Sequence, residues 1–350
     1  MMDNKINITF ISQNDLIKSG CFNIPEVIDV VENAFLERAK DNVIFPDKVS
    51  VIFDEESQNR INCLPAGSKE KLVYGMKWVS VFPENPQKKN IQNVTAVILL
   101  SDMHTGFPLA FMEGTLCSNL RTAATSAVAA KYLAKEDSSV IGFIGAGEQA
   151  KSHLMTLLHV RKNIKTCKVA SRTHESELKF ISQMSLLYPD VHFIDCKSSY
   201  KQAAEDSDII VTAISSQEMI LRAEWIKPGA LYCHVGGLED EYAVPLKATK
   251  IVCDDWNVVK HRTQTISRMY KENLLKDSDI YCNLHQIVNK EFIGRESNDE
   301  FIYFNTVGMS YVDVLLANYM YEKVMSSQGG VLLELQDKEM FAIDPQYIVL

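Results

Sequence analysis

The sequence predicts an α/β protein with one doubly wound parallel-sheet domain and a second, discontinuous α+β domain. Between residues 138 and 307, short apolar runs alternate with helical stretches, as in a parallel sheet covered by helices on both faces. The first 125 residues mix strand and helix patterns without this alternation. A helix at about 309–327 follows, and we expect it to pack back on the N-terminal part. We therefore predict a substrate-binding and dimerisation domain of residues 1–125 plus 309–350, and a nucleotide-binding domain of residues 126–308.

The N-terminal part contains both types of element. Residues 24–40 carry apolar residues at helical spacing, and Pro25 lies where a first-turn proline is tolerated. A glycine- and proline-containing turn at 104–108 separates two strands. Enrichment in β-branched and aromatic residues predicts strands at 72–82, 94–101 and about 108–113.

An Ala-rich helix is predicted at 118–135, with Ser118 as its N-cap. A polar break then leads into the alternating region. The strands predicted there are 140–144, 167–170, 208–213, 231–235 and 250–253. The helices predicted there include 150–158 and 175–187.

Length and charge limit the classes of function. A chain of 350 residues fits about two domains. The formal net charge of −9 disfavours nucleic acid and anionic membrane as partners, because both require a basic surface. No apolar run approaches the roughly 20 residues of a membrane span. The polar residues 1–5 lack a signal-peptide core, so we expect a cytoplasmic protein.

The cysteines do not predict a metal site or a disulfide framework. None of the eight forms a C-x-x-C pair, and most lie in apolar runs. We expect buried thiols in a reducing compartment and no metal. They are Cys21, Cys63, Cys117, Cys167, Cys196, Cys233, Cys253 and Cys282.

A glycine loop follows the predicted strand 140–144 and precedes a helix. The spacing is G-x-G-x-x-A in the context of a Rossmann dinucleotide-binding domain. Gly145 allows the tight turn, Gly147 lets the backbone approach a pyrophosphate, and Ala150 permits close packing of helix on strand. The pyrophosphate would lie at the positive end of the helix. The sequence therefore predicts NAD or NADP bound by Gly145, Ala146, Gly147, Glu148, Gln149 and Ala150.

The end of the second strand bears on the choice of cofactor. An acidic residue there would bind the ribose 2′-hydroxyl and favour NAD. The residues present are Ser171, Arg172 and Thr173. Arg172 can pair with a 2′-phosphate, which favours NADP. Alternatively, Arg172 only stacks on the adenine, and either cofactor binds.

Two cations lie in otherwise apolar segments. Lys77 stands in a strand that appears buried, and Arg121 stands in the first turn of the Ala-rich helix, where it opposes the helix dipole. Because burying a cation is costly unless it is paired, these positions suggest an anionic ligand such as an α-carboxylate. The alternative is an internal salt bridge, for which Glu113 is a candidate partner.

Weaker candidates are Lys48 and an acidic cluster. Lys48 is a third candidate for substrate binding, or a solvated lysine. Glu239 and Asp240 follow the strand 231–235, at the edge where open α/β sheets place their chemistry. A carboxylate there could act as a general base or bind a substrate ammonium, so both are candidate catalytic residues. The alternative is a solvated acidic loop.

These features together resemble the ornithine cyclodeaminase/μ-crystallin family, from about residue 8 to 335. The Arg-Thr-Ala-Ala stretch that starts at Arg121 is specific to this family, and a generic Rossmann enzyme lacks it. The similar segments are 75–78, 120–126, 144–150, 235–237 and 307–309 with Asp313.

Within the family, the sequence is more similar to the dehydrogenases of diaminopropionate biosynthesis, which serve siderophore and antibiotic pathways. These enzymes act on N-(2-amino-2-carboxyethyl)-L-glutamate. Lys48 fits this subgroup, since many other relatives carry arginine there. The other similar stretches are 77–78 with 85–86 and Asn90, 254–256, 294–296 with 299–300, and 308–309.

The resemblance implies a homodimer that binds a small amino acid, whose α-carboxylate Lys77 and Arg121 would hold. The nicotinamide would lie near Gly308, next to Val307, and take a hydride from the substrate Cα. Water would then split the imine into 2-oxoglutarate and L-2,3-diaminopropionate. We also assign Thr212, Ala213 and Ile214, at the end of the strand 208–213, to the cofactor site.

Three other activities stay open: cyclodeamination of ornithine or lysine, reduction of a ketimine or pyrroline carboxylate, and non-catalytic carriage of NADP(H) as in the μ-crystallins. One departure from the family bears on them. Cyclodeaminases carry a catalytic aspartate directly after Val-Gly-Gly, where this chain has Leu238, followed by Glu239 and Asp240.

Overall fold

A computed structural model describes residues 5–54, 59–214, 218–337 and 345–348. Residues 1–4, on which part of the expected cytoplasmic location rests, lie outside this set. The chain divides into two compact units. Unit 1 comprises Met1–Asn23, Asn42–Ser118 and Asp313–Leu350, and unit 2 comprises Ile24–Asp41 and Asn119–Val312. Among the described residues, no helix has the length and apolar character needed to cross a membrane.

Unit 1 is built on one mixed sheet. Its strands run in the order β16-β1-β7-β6-β5-β4-β2, and β3 also pairs with β4. The pair β1 and β7 is parallel, and the other pairs are antiparallel. These strands are β1 (Ile6–Ile11), β2 (Val43–Ile44), β3 (Val49–Asp54), β4 (Asn59–Ser68), β5 (Val73–Val81), β6 (Val94–Asp102), β7 (Pro108–Glu113) and β16 (Val331–Gln336). The short helices of this unit are α1 (Gln13–Lys18) and α3 (Asn85–Lys88).

The two faces of this sheet differ in exposure although both are largely apolar. Because side chains alternate along a strand, Ile11, Ile98 and Met112 lie on a buried face. Phe10 and Phe111 stand in register on the opposite face and are exposed. The strands β5, β6 and β7 confirm the predicted strands 72–82, 94–101 and 108–113.

The strand β16 is not predicted from the sequence. Its six residues include Val331 and three leucines, and all six are exposed, so no burial alternation marks it as a strand. It is recognisable only through its antiparallel pairing with β1, more than 300 residues away.

Unit 2 is the doubly wound domain. Its strands pair in parallel in the order β10-β9-β8-β11-β12-β15-β13-β14. Their bounds are β8 (Val140–Ile144), β9 (Thr166–Ala170), β10 (His192–Asp195), β11 (Ile209–Thr212), β12 (Leu231–His234), β13 (Lys250–Cys253), β14 (Cys282–Asn283) and β15 (Ile302–Asn305). The strand order reverses between β8 and β11, and ligands of open α/β sheets bind at the carboxyl ends of such a pair.

The helices of unit 2 confirm the predicted alternation. They are α2 (Ile24–Ala39), α5 (Glu148–Val160), α6 (His174–Leu187), α7 (Tyr200–Ala204), α8 (Ala243–Lys247), α9 (Trp256–Val259), α10 (Thr265–Lys271) and α11 (Leu284–Val288). Two longer helices, α4 (Thr115–Leu133) and α12 (Ser310–Ser326), contain unit boundaries. Residues 24–41 belong to unit 2 because α2 packs on α5 and α11. The unit boundaries therefore differ from the bounds predicted from the sequence.

The predicted N-cap of the Ala-rich helix is wrong. Helix α4 begins at Thr115, so Ser118 lies inside its first turn. The cap is Glu113, whose two carboxylate oxygens accept hydrogen bonds from the backbone N–H groups of Thr115 (2.6 Å) and Leu116 (3.0 Å). A carboxylate suits this place because it satisfies two orphan donors and complements the helix dipole.

The other end of α4 is capped by two arginines. The guanidinium of Arg161 donates to the carbonyls of Ala130, Lys131 and Ala134, and Arg295 donates to the carbonyl of Leu133. Cations at a helix C-terminus satisfy the last carbonyls. Helix α4 is thus held by charged side chains at both ends.

Candidate functional site

The glycine loop of unit 2 has the geometry that its sequence predicts. Gly145 adopts φ +115°, and a Cβ on it would lie 2.8 Å from the carbonyl oxygen of Ala213. Its N–H donates to the carbonyl of Ala170 at 2.8 Å. Only glycine can make this turn between the ends of β8, β9 and β11. The residues assigned to the loop therefore stand at the switch point of the sheet.

Gly147 is the N-cap of helix α5 and is surrounded by open space. Among the described residues, no heavy atom lies within 4 Å of a Cβ built on it, and no side chain caps the helix there. The space beside Gly147 is thus open at the N-terminus of α5, where no described side chain accepts from the first backbone N–H groups. This cradle fits a dinucleotide pyrophosphate, because the free N–H groups and the helix dipole both favour an anion.

Burial and a side-chain hydrogen bond hold the first turn of α5. Ala150 is fully buried, and the amide of Gln149 donates to Asn119 Oδ1 at 2.8 Å. The other amide atom, Gln149 Oε1, is buried with no hydrogen-bond partner among the described residues. Glu148 is exposed and pairs with Lys151.

A buried histidine supports the same turn. His153 Nδ1–H donates to the carbonyl of Gln149 at 2.7 Å, and the Ser126 hydroxyl donates to Nε2 at 3.0 Å. Burial lowers the pKa of His153 to about 4, so its ring is neutral near pH 7. A neutral ring can donate and accept at once, which this arrangement requires.

The loop after β9 presents Arg172 to solvent. Ser171 is held by its N–H, which donates to the buried carboxylate of Glu177 at 2.7 Å, and by its hydroxyl, which donates to the carbonyl of Thr173. Glu177 also accepts from the N–H of Ser198 in the loop after β10. Arg172 is exposed. A rigid loop with an available guanidinium is suited to bind a phosphate.

The side chains of His174, Glu177 and Asp195 bring possible metal ligands within 4.8 Å of one another. His174 Nε2 lies 2.6 Å from Asp195 Oδ2, and Glu177 is occupied by backbone donors. These hydrogen bonds explain the cluster without a cation.

Thr212 and Ile214 meet Glu239 at the carboxyl ends of β11 and β12. Glu239 is fully buried and accepts from the Thr212 hydroxyl (2.6 Å), the Ile214 N–H (2.7 Å) and the Gly236 N–H (2.8 Å). Burial raises the pKa of this carboxyl, although these donors and His234 oppose the rise. Its oxygens tie two loops together, which favours a structural role over the predicted catalytic one.

Asp240 is also fully buried. Its Oδ1 accepts from the Thr265 hydroxyl at 2.7 Å and lies 2.8 Å from His234 Nδ1. Burial alone lowers the pKa of His234, but the charges of Asp240 and Glu239 raise it above its ordinary value. Among the described residues, Asp240 contacts a buried network rather than solvent. A catalytic role for it, predicted from its position after β12, is not favoured by this burial.

Arg121 lies against Gly308. Gly308 adopts φ +83°, and a Cβ on it would lie 2.7 Å from Cζ and 2.8 Å from Nη2 of Arg121. The guanidinium therefore occupies the space that a side chain at 308 would need. Both are residues that the sequence assigned to substrate and cofactor, and the structure brings them together within unit 2.

Asp254 is a residue that sequence reasoning missed. It follows β13 directly, and its buried Oδ2 accepts from the N–H groups of Val307 and Gly308, both at 2.8 Å. The available signal was its place after a parallel strand, the same signal that pointed to Glu239 and Asp240.

Lys77 in unit 1 is almost completely buried, with 2% of its surface exposed. Its Nζ donates to Asp313 Oδ1 at 2.7 Å and to Ser118 Oγ at 3.2 Å. The buried ion partner is thus Asp313 and not Glu113, whose carboxylate caps α4.

Lys48, the weaker candidate for substrate binding, is half-buried just before the exposed strand β3.

The chain matches known proteins along most of its length. A sequence model of the ornithine cyclodeaminase/mu-crystallin family matches residues 10–328. The N-((2S)-2-amino-2-carboxyethyl)-L-glutamate dehydrogenase of Staphylococcus aureus is 27% identical over 330 residues, which cover 93% of this chain and 98% of that enzyme.

Two solved structures share the fold closely. The Delta(1)-pyrroline-2-carboxylate reductase of Thermococcus litoralis, solved with NADH and L-proline, has a TM-score of 0.87 at 33% identity, with 92% of this chain and 99% of that chain covered. An archaeal alanine dehydrogenase dimer with bound NAD has a TM-score of 0.87 at 28% identity, with 95% and 100% covered.

The open space at Gly147 generates a test of the cofactor site. Gly147→Val should fold normally, because nothing lies within 4 Å of the added Cβ. Its side chain would occupy the pyrophosphate cradle, so we expect the Kd for NADH to rise about 10-fold or more, the loss of roughly one charge-assisted hydrogen bond. Fluorescence titration with NADH measures the Kd, and circular dichroism checks the fold. Unchanged affinity in a folded variant would refute the cradle.

Proposed function

The chain belongs to the ornithine cyclodeaminase/mu-crystallin family, and within it we propose an amino-acid dehydrogenase whose imine product is hydrolysed. At the coarser level, the protein is an NAD-dependent oxidoreductase that acts on a carbon–nitrogen bond. We propose N-(2-amino-2-carboxyethyl)-L-glutamate as the substrate, and L-2,3-diaminopropionate and 2-oxoglutarate as the products. The similarity to the Staphylococcus aureus dehydrogenase, over nearly the full length of both chains, supports this substrate.

The chain would hold the dinucleotide through the loop 145–150 and the ends of β9, β11 and β15. When bound, the nicotinamide accepts a hydride from the carbon of the substrate's C–N bond. Gly145 and Gly147 leave room for the pyrophosphate, and Ala213 and Ile214 border the tight turn at Gly145. Gly308, whose N–H is held by Asp254 together with that of Val307, borders Arg121.

Arg121 carries the proposal for substrate binding. Its guanidinium lies against Gly308, a residue proposed for the cofactor site, and a planar fork suits a carboxylate. A carboxylate fixed there would orient the neighbouring Cα for hydride transfer. We also retain Lys77 as a substrate-binding cation, oriented by Asp313 and Ser118, and Lys48 as a weaker candidate.

The position after Val-Gly-Gly bears on the choice among activities. Leu238 replaces the acid expected of a cyclodeaminase, and the next two acids, Glu239 and Asp240, are fully buried. This disfavours cyclisation of ornithine or lysine. Reduction of a pyrroline carboxylate is the second candidate, supported by the Thermococcus litoralis structure with NADH and L-proline.

A turnover assay with mass-spectrometric detection tests the proposed function. The purified protein is incubated with NAD or NADP and N-(2-amino-2-carboxyethyl)-L-glutamate, ornithine, lysine or L-alanine, and with NADH or NADPH and pyrroline-2-carboxylate. We expect diaminopropionate and 2-oxoglutarate in equal amounts with reduced cofactor.

Gly147→Val is the control at cofactor concentrations below the wild-type Kd, where turnover by this chain should fall with the weakened cofactor binding and activity that stays at the wild-type level comes from a contaminant. Proline formed from pyrroline-2-carboxylate, without diaminopropionate in the other reaction, would contradict the dehydrogenase and favour the reductase. Proline and ammonia from ornithine would restore the cyclodeaminase. No turnover while NADH still binds would favour a carrier.

The exposed guanidinium of Arg172 leads us to propose that NADP is accepted as well as NAD. Arg172→Asp should lower the ratio of kcat/KM for NADP over NAD about 10-fold or more, the size of a lost charge-assisted hydrogen bond. Steady-state kinetics with both cofactors measures the ratio. Lys197→Asp, a change of the same charge in the loop after β10, is the control, and an unaltered ratio in Arg172→Asp would show that this residue does not bind the phosphate.

We propose that the exposed apolar face of the unit 1 sheet binds a second copy of the chain. Phe10, Phe111, Leu99 and Met76 stand in register across four strands. Trp78 lies on the same face and is 44% exposed. A continuous apolar face of this kind marks an interface, and the archaeal alanine dehydrogenase is described as a dimer.

Analytical ultracentrifugation tests the dimer. We expect the wild-type protein to sediment as two chains and Trp78→Asp as one, because a charge in the interface is costly to bury. Leu186→Asp is the matched control, since Leu186 is 83% exposed on helix α6 of unit 2. A wild-type protein that sediments as a single chain would contradict this proposal.

A further inference from the structure

We propose that Asp254 is a positioning residue that holds the segment 306–308 and thereby fixes the guanidinium of Arg121. This inference rests on the proposed function, in which Arg121 binds the substrate carboxylate. Asp254 is not among the residues proposed to touch either ligand, and in this proposal it acts through the main chain that it holds.

One carboxylate oxygen of Asp254 accepts three hydrogen bonds from this segment. Oδ2 accepts from the Thr306 hydroxyl (2.9 Å), the Val307 N–H (2.8 Å) and the Gly308 N–H (2.8 Å). Asp254 is fully buried, so no water competes for these donors. Hydrogen bonds to a charged acceptor are about twice as strong as neutral ones. The path of the main chain at 306–308 therefore depends on this side chain.

Within the segment 306–308, Gly308 lies against the guanidinium of Arg121. Because the guanidinium fills the space beside the Cα of Gly308, a small shift of Gly308 moves the surface on which the guanidinium lies. The positive φ of Gly308 is a conformation that glycine adopts at little cost, and its N–H must stay aimed at Asp254 to keep it. Loosening Asp254 therefore frees the backbone that positions Arg121.

The neighbouring residue Asp255 is equally buried but has different partners. Its Oδ1 accepts from the N–H of Asn257 at the start of α9, and its Oδ2 pairs with Arg38 of α2 at 3.3 Å. Its side chain makes no hydrogen bond to residues 306–308 among those described. Asp255 thus supplies a control of the same residue type, burial and sequence position.

Protonation should weaken the hold on the segment. Burial raises the pKa of Asp254 to about 6, and its hydrogen bonds to Gly308, Thr306 and Val307 oppose that rise. The carboxylate is charged above that pH and neutral below it, so binding of the substrate carboxylate should weaken as the pH falls through about 6. Among the described residues, Cys253 of β13 and Tyr311 of α12 interact electrostatically with Asp254, and Arg121 of α4 lies beyond Gly308. Around the neighbouring Asp255, the N-cap of α9, lie Arg38 of α2 and His285 of α11.

The experiment compares Asp254→Asn with Asp255→Asn in the full-length protein. The amide keeps the size of the side chain but removes the charge. For Asp254→Asn we expect kcat/KM for N-(2-amino-2-carboxyethyl)-L-glutamate to fall about 10- to 100-fold, mainly through KM, as for a misplacement of about 1 Å. The fall of kcat/KM near pH 6 should also disappear. Asp255→Asn should keep the wild-type kcat/KM and pH profile, even if it loses a similar amount of thermal stability.

A double-mutant cycle with Arg121→Lys separates the possible failures. If Asp254 acts through Arg121, Asp254→Asn should cost much less in the Arg121→Lys background. Equal costs in both backgrounds would overturn the inference and leave the proposed function standing. Arg121→Lys with wild-type kinetics would instead refute the role of Arg121.

Two measurements that need no substrate test the inference even if no turnover is found. Amide hydrogen exchange at 306–309 should quicken in Asp254→Asn and stay unchanged in Asp255→Asn. A crystal structure of Asp254→Asn should show the Arg121 guanidinium displaced from Gly308. An undisturbed segment and guanidinium would overturn the inference whether or not a substrate has been found.

Discussion

The carboxyl edge of the parallel sheet in unit 2 depends on buried carboxylates that accept backbone N–H groups. The loops that begin at this edge turn sharply, so some of their backbone N–H groups have no partner in a strand or helix. A buried N–H group without a partner is costly. Glu177 accepts hydrogen bonds from the N–H groups of Ser171 and Ser198, Glu239 from those of Ile214 and Gly236, and Asp254 from those of Val307 and Gly308. Each acid thus joins elements that are distant in the chain, and together they shape the edge at which the glycine loop lies.

This constraint explains which parts of the site could be predicted from sequence. The glycine loop has a local signature, because the residues that permit its turn, its helix start and its close packing are six consecutive ones, and its positive φ is confirmed at Gly145. The strands of unit 2 are apolar runs of ordinary length and were predictable for the same reason. A buried acid has no such local signature. Glu239 and Asp240 follow a strand, as a catalytic acid would, and only the structure reveals their complete burial.

Long-range partners account for the other differences. The cap of α4 is Glu113, at the end of the preceding strand, where the sequence alone suggested Ser118. The partner of Lys77 is Asp313, separated from it by 236 residues. A buried pair of this kind offsets the desolvation of both charges only when its geometry is good, and here Ser118 supplies a further acceptor. Sequence identified the cation as unusual but could not identify its partner.

The pairing of β1 with β16 constrains the order in which the chain can fold. All of unit 2 lies between residues 24 and 312, so its sheet can form as soon as that stretch has left the ribosome. The sheet of unit 1 stays incomplete until residues 331–336 are made, with β1 unpaired along one edge in the meantime. Since domains tend to fold as units during synthesis, the nucleotide-binding fold should be complete before the unit that begins the chain. The growing chain therefore carries an unpaired edge of β1 until residues 331–336 emerge, a period in which chaperone binding would matter most.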